Sequence, residues 1–194
     1  MPKAQETVLE INLSALGHNY NYLKSKVNTS VKLMAVVKAF GYGSDSVMVA
    51  KELQTLGADY FAVAYTSEGV RLRDENITTP ILVLHPLANA FKELIERCLE
   101  PSIYSLKTLR EFIATAQTLK QKEYPIHLKF NSGLNRLGFN EKDVPEMYSL
   151  LLLVFPNQNR LYWPFLKSHI VPDSYKNFCE GRKILQTRPT FSLS

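Results

Sequence analysis

Val31-Lys-Leu-Met-Ala-Val-Val-Lys-Ala-Phe-Gly-Tyr-Gly43 is an apolar run that ends abruptly in a lysine and a glycine-bracketed turn. The run is too short for a buried helix, and Val31, Val36 and Val37 are β-branched, so residues 31–37 read as a buried strand. Gly41 and Gly43 let the chain turn sharply just past its carboxyl end. Residues 44–56 then place Val47, Val49, Ala50 and Leu53 at helical spacing, with Ser44 as a candidate N-cap. The unit is strand, tight loop, helix.

Outward from this unit the same pattern recurs. Before it, residues 14–26 carry Leu16, Tyr20 and Leu23 at helical spacing, and residues 7–11 form a separate strand-like run. After it, strands are expected over residues 60–64, 80–84, 102–105 and 125–130, with residues 160–166 as one more candidate. Helices are expected over residues 67–75, 90–98, 106–119 and 145–153. Pro80 enters its strand at the first position, where a missing N–H does little harm. Apolar strands alternating with helices mean an α/β fold with a parallel sheet covered by crossover helices. The chain supplies five such units and a candidate sixth, whereas a closed eight-unit barrel takes about 250 residues. Periodicity alone leaves two architectures open, a doubly wound sheet and a partial barrel.

Composition narrows the function. The chain has 194 residues, of which 45% are hydrophobic and 21% charged, values of a globular protein. The longest apolar run, Leu150-Leu-Leu-Leu-Val-Phe155, is far below the ~18–20 residues of a membrane span. Met1-Pro-Lys-Ala-Gln-Glu6 has no apolar core of a secretory signal, and Cys98 and Cys179 alone make no disulfide framework, so a reducing cytoplasm is expected. The net charge is +5, and most of it lies beyond residue 150, where Arg160, Lys167, Lys176, Arg182, Lys183 and Arg188 face only Asp173 and Glu180. The remainder is near neutral and has no basic stripe, which argues against nucleic acid as a partner. Residues 1–155 therefore read as the folded unit. Residues 156–194, with Pro156, Pro164, Pro172 and Pro189 and no helical period, read either as an ordinary irregular C-terminal segment or as an atypical tail, out of frame or poorly ordered.

Two loops carry candidate chemistry. Lys38 directly follows the first strand, and ligands of parallel α/β folds bind at the carboxyl ends of strands. An amine against a low-dielectric wall suits Schiff-base chemistry with a carbonyl, although most lysines after strands are simply solvated. Tyr42, between the two glycines, offers a hydroxyl to a phosphate or ring substituent. The second loop is Lys129-Phe-Asn-Ser-Gly-Leu-Asn-Arg-Leu-Gly-Phe139, where Lys129 ends a strand and Arg136 sits between Gly133 and Gly138. An arginine so placed presents a fork of donors to a carboxylate, phosphate or phenolate, or is an ordinary surface residue of a turn. No Walker A loop, third dinucleotide glycine, C-x-x-C, H-E-x-x-H or G-x-S-x-G occurs. His18, His85, His127 and His169 lack ligand spacing and read as packed or surface residues, so no metal is expected.

Five blocks taken in order carry a resemblance. They are Val8-Leu-Glu-Ile-Asn-Leu-Ser-Ala-Leu-Gly-His-Asn19, Met34-Ala-Val-Val-Lys-Ala-Phe-Gly-Tyr-Gly43, Phe61-Ala-Val-Ala-Tyr-Thr-Ser-Glu-Gly-Val-Arg-Leu-Arg73, Pro80-Ile-Leu-Val-Leu84 and His127-Leu-Lys-Phe-Asn-Ser-Gly-Leu-Asn-Arg-Leu-Gly-Phe139. Together they resemble the amino-terminal domain of alanine racemase, in the pyridoxal-phosphate-dependent fold-type III group. The resemblance implies an α/β barrel of eight units followed by a mostly β domain, of which this chain would hold five or six units and lack the second domain. Residues 7–11 would belong with that second domain.

The resemblance also implies roles. Lys38 would carry pyridoxal 5'-phosphate as an aldimine and act as one of two bases that interconvert L-alanine and D-alanine, supplying D-alanine for peptidoglycan. Tyr42 would contact the cofactor phosphate. Arg136 would bond the cofactor's phenolic oxygen and help to place the substrate carboxylate. Lys129 matches a lysine that is carbamylated in some members. Ser168-His-Ile-Val-Pro-Asp173 partly matches a segment whose histidine packs on the cofactor ring, which gives His169 that role. Family members are head-to-tail homodimers that share sites through the second domain, so both the dimer and full turnover are doubtful for this chain. Asn131 stands where the family has an aspartate, and Phe40, Ser44 and Asp45 depart from the family's K-A-[ND]-[AG]-Y-G-H-G. Three other readings remain: a single-domain pyridoxal-phosphate homeostasis protein, a racemase of broader specificity, and a non-catalytic barrel fragment.

Overall fold

The computed structural model describes residues 8–121 and 124–154. The boundary at residue 155, the candidate strand at 160–166 and His169 lie outside the described residues. The elements run α1 (Leu13–Ser25), β1 (Met34–Val36), a single turn α2 (Lys38–Tyr42), α3 (Ser46–Thr55), β2 (Tyr60–Val63), α4 (Thr66–Asp74) and β3 (Ile81–Val83). They continue with α5 (Phe91–Glu96), β4 (Glu100–Ile103), α6 (Leu106–Thr118), β5 (His127–Leu128) and α7 (Val144–Val154), with 3-10 turns before α5 and α7.

All five strands are parallel, in the order β1-β2-β3-β4-β5. Sequential order without reversal decides between the two architectures left open above. A doubly wound sheet reverses direction at a switch point, whereas a barrel adds each new strand beside the last. The register places Ala35 opposite Phe61, Ala62 opposite Leu82, Val83 opposite Pro101 and Ser102 opposite His127.

Strands β2 and β3 bury both faces, whereas β1 is only partly buried. Phe61, Val63, Ile81, Val83, Ile103 and Leu128 pack outward against helix residues that include Leu72, Leu94, Leu109 and Phe112. Their alternates Ala62 and Leu82 are equally buried but stand outside that cluster, on the sheet's other face. Burial on both sides explains why the strands read as unbroken apolar runs. Phe91 meets Phe112 edge-on at 5.3 Å between centroids, locking α5 to α6.

Several local expectations shift, each for a physical reason. The descriptive part of the first run, residues 8–11, has no sheet partner among the described residues, and Val8 and Leu9 are exposed. Asp45 rather than Ser44 caps α3, its carboxylate accepting from the amides of Val47 (2.8 Å) and Met48 (3.1 Å). Strand β4 runs Glu100–Ile103, starting earlier than the expected residue 102. The Glu100 charge is held inside: Tyr60 Oη donates to Glu100 Oε2 at 2.6 Å, and His127 Nε2 lies 2.5 Å away. A charged residue is tolerated at a strand start when it is paired in this way.

Candidate active site

The carboxyl ends of the five strands form one rim, and β1 delivers Lys38 to it. Val37 still belongs to the sheet, since its amide donates to Ala62 O at 2.9 Å. Immediately after Lys38 the backbone reverses hand. Ala39 (φ 51°, ψ 54°), Phe40 (55°, 38°), Gly41 (64°, 40°) and Tyr42 (φ 57°) form one left-handed turn. Left-handed helix costs about 1–2 kcal/mol for each non-glycine residue, so Ala39, Phe40 and Tyr42 hold strain that the surroundings must offset. Gly41 is the residue of this turn that adopts its positive φ without steric cost, and a Cβ there would sit tightly against Ser46 N at 3.3 Å. The turn closes with Gly41 N to Val37 O and Gly43 N to Ala39 O, both 3.1 Å. It throws Phe40 and Tyr42 outward, 63% and 68% exposed, and sets Lys38 Nζ 6.0 Å from the centre of the Tyr42 ring. The Arg71 guanidinium sits 5.1 Å from the centre of the Phe40 ring.

Lys129 reaches the same rim from β5, its amide donating to Ile103 O at 2.8 Å. Burial holds its amine below the usual lysine range, and the charges of Arg136 and then Lys38 push it further down. Strands β1 and β5 are the two ends of the five-strand order, and because all five strands are parallel, the residues that follow them, Lys38 and Lys129, lie at the same end of the sheet. None of Lys38, Lys129 and Arg136 forms an ion pair among the described residues.

The Arg136 loop is built by asparagines. Asn131 Oδ1 accepts from the amides of Asn135 (3.1 Å) and Gly133 (3.3 Å), while its Nδ2 donates to Asn135 Oδ1 at 2.9 Å and to Asn140 Oδ1 at 3.4 Å. An aspartate at residue 131 could accept the first pair but not donate the second. The loop returns to the sheet through Phe139, whose amide donates to Lys129 O at 2.8 Å and whose carbonyl accepts from Asn131 N at 2.9 Å.

An amine beside two further cations and a phenol suits an anionic ligand that bears an aldehyde, and the donor set therefore fits pyridoxal phosphate. Among the expected site residues, Lys38, Tyr42, Lys129 and Arg136 are brought to one rim. Two features were not read from the sequence. Glu68 accepts from three backbone amides, those of Ala64, Ala39 and Tyr65. The third helical position of α4 is a capping-box signal that could have found it. A row of rings also lines the rim, with His85 stacked on Tyr104 at 5.5 Å and edge-on to Tyr65 at 5.6 Å. These residues follow β3, β4 and β2, and no spacing in the sequence unites them.

Residues 11–160 match the model of the alanine racemase N-terminal domain. The chain belongs to the alanine racemase family. Alanine racemase 2 of Oceanobacillus iheyensis is 42% identical over 142 residues, which are 72% of this chain and 36% of that protein. Alanine racemase 1 of Caldanaerobacter subterraneus is 32% identical over 90% of this chain and 45% of its own length. The chain thus spans less than half the length of these curated relatives. Among solved structures, alanine racemase of Clostridium difficile 630 in complex with cycloserine matches 95% of this chain and 54% of its own, with a TM-score of 0.75 and 30% identity. A partial barrel of this family and the five-stranded parallel sheet agree. No helix among the described residues is long and apolar enough to cross a membrane.

Proposed function

We propose that this chain is the cofactor-bearing barrel segment of a pyridoxal-phosphate-dependent alanine racemase, acting on L- and D-alanine in the cytoplasm to provide D-alanine for peptidoglycan. The observation that supports this most directly is the placement of Lys38 and Lys129, with the Arg136 loop, beyond the carboxyl ends of parallel strands, with Tyr42 beside the first. Pyridoxal phosphate, when bound, supplies the electron sink that makes an amino acid's Cα proton acidic.

The chain's own residues then have separate tasks. Lys38 would hold the cofactor, and its amine is the group placed to exchange a proton with one face of Cα. Tyr42 donates to the phosphate. Arg136 presents paired N–H donors to the phenolic oxygen and the substrate carboxylate. Lys129, its amine already held low, is suited to carbamylation, which would convert a repelling charge beside Arg136 into an attracting one. A base for the opposite face of Cα is not among the residues that the resemblance places on this sequence, and the expected behaviour of the 194-residue chain is cofactor capture with little or no turnover.

The test is the absorbance of the purified chain with pyridoxal phosphate, before and after borohydride, with Lys38→Ala as control and exchange of D- and L-alanine measured alongside. A visible band that borohydride fixes onto Lys38 supports the reading. A band that persists in Lys38→Ala, or none at all, rejects it. A Lys38-dependent band with no exchange also fits a cofactor carrier, and adding a chain that supplies the second base separates the two.

A further inference from the structure

Glu68 stands at the third position of α4, where a glutamate ordinarily reaches back to cap its own helix. One oxygen does that. Oε2 accepts from the amides of Ala64 (2.6 Å) and Tyr65 (3.3 Å), at the carboxyl end of β2. The other oxygen leaves the helix. Oε1 accepts from the amide of Ala39 at 2.8 Å, across the rim in the neighbouring loop.

The Ala39 amide is the peptide that joins Ala39 to Lys38. Holding its plane fixes ψ of Lys38 and so the direction in which the lysine side chain leaves the backbone. The same bond secures the first residue of the left-handed turn, whose positive φ values oppose this conformation in three non-glycine residues. Bonds to an ionised acceptor are among the strong ones, and a carboxylate has two oxygens to divide between two loops. Glu68 is half-buried and makes no ion pair with Lys38 among the described residues, so its charge is committed to backbone amides and the amine stays free.

We infer that Glu68 is a positioning residue for Lys38: its carboxylate clamps the left-handed turn to the carboxyl end of β2 and sets the lysine's aim. This rests on the reading of Lys38 as the cofactor lysine. Glutamine is the discriminating replacement, because its single carbonyl oxygen can still cap α4 but its NH2 cannot accept the Ala39 amide.

The experiment compares the full chain with Glu68→Gln by amide hydrogen exchange, thermal unfolding and titration with pyridoxal phosphate. In the unsubstituted chain the Ala39 amide, which has no backbone acceptor, exchanges well below the random-coil rate. In Glu68→Gln, exchange over residues 39–42 rises about tenfold or more, the melting temperature stays close to that of the parent, and half-saturation of the Lys38-dependent band moves about tenfold higher. Random-coil exchange of Ala39 in the parent chain overturns the inference and needs no variant to fold. Unchanged exchange in Glu68→Gln, or faster exchange with unchanged cofactor affinity, overturns it as well. A parent chain with no Lys38-dependent band refutes the cofactor reading instead, and the exchange arms then still decide the clamp.

Discussion

Glu100 and His127 meet at 2.5 Å across the amino-terminal ends of β4 and β5, with the imidazole almost fully buried. Tyr60 donates to the same carboxylate oxygen from β2, so one charge ties three strands at the end opposite the candidate site. Removing it strips two charge-assisted bonds at once. Glu100→Ala is expected to lose about 2–4 kcal/mol of stability in urea unfolding, and Glu100→Gln roughly half of that. An unchanged midpoint for Glu100→Ala would contradict the network.

Gly138 and Gly133 bracket the Arg136 loop, both with positive φ, 136° and 125°. They differ in surroundings. A Cβ on Gly138 would run into the backbone of Phe130 and Asn131, whereas one on Gly133 meets nothing. Both alanine substitutions strain φ, but only Gly138→Ala must also open the sheet. It should destabilise by about 2 kcal/mol or more beyond Gly133→Ala. Equal unfolding midpoints would show that the loop does not close on β5 as described.

Arg73 uses its guanidinium as a staple. Nη1 donates to Ile77 O (2.6 Å) and Thr79 O (2.8 Å), Nη2 to Cys98 O (3.0 Å) and Nε to Arg97 O (3.2 Å). These carbonyls lie in the turns that lead into β3 and β4. A lysine has three donors on one atom and cannot span the set. Arg73→Lys should cost about 2–3 kcal/mol, read by calorimetry, and a loss no larger than that of an exposed Arg→Lys change would refute the staple.

Lys129 makes a pH prediction with a definite sign. Its amine is held below the usual lysine range by burial and by the charges of Arg136 and Lys38. The unfolded chain therefore binds more protons between the lowered value and the ordinary one. The penalty is full below the lowered value and is relieved as pH rises toward the ordinary lysine value. Lys129→Met should accordingly be more stable than the parent at neutral pH, and the gap should narrow in alkali. A gap in urea midpoints that is constant with pH would show that Lys129 is not under this repulsion.

Much of the secondary structure was legible because its causes are local. The apolar runs that became β1, β2, β3 and β5, and the helical spacing of Leu109, Phe112 and Ala116 in α6, are set by each segment's own residues and its burial. The errors have a different origin. The strand expected over residues 102–105 starts instead at Glu100, whose carboxylate is held by Tyr60 and His127 from other strands. Residues 8–11 alternate as a strand does but have no described neighbour to pair with.

By itself, the sequence determined that parallel strands alternate with helices, that Lys38 and Arg136 sit in glycine-bearing loops after strands, and that the blocks around them follow one family's order. Tertiary structure alone decided that the sheet winds without reversal, that Lys38 and Lys129 follow the two end strands at the same end of the sheet, and that Glu68 reaches the turn beside Lys38. The reason is range. Periodicity and turn chemistry are fixed by neighbours in the chain, whereas strand order and the reach of one carboxylate between two loops depend on which strand lies beside which.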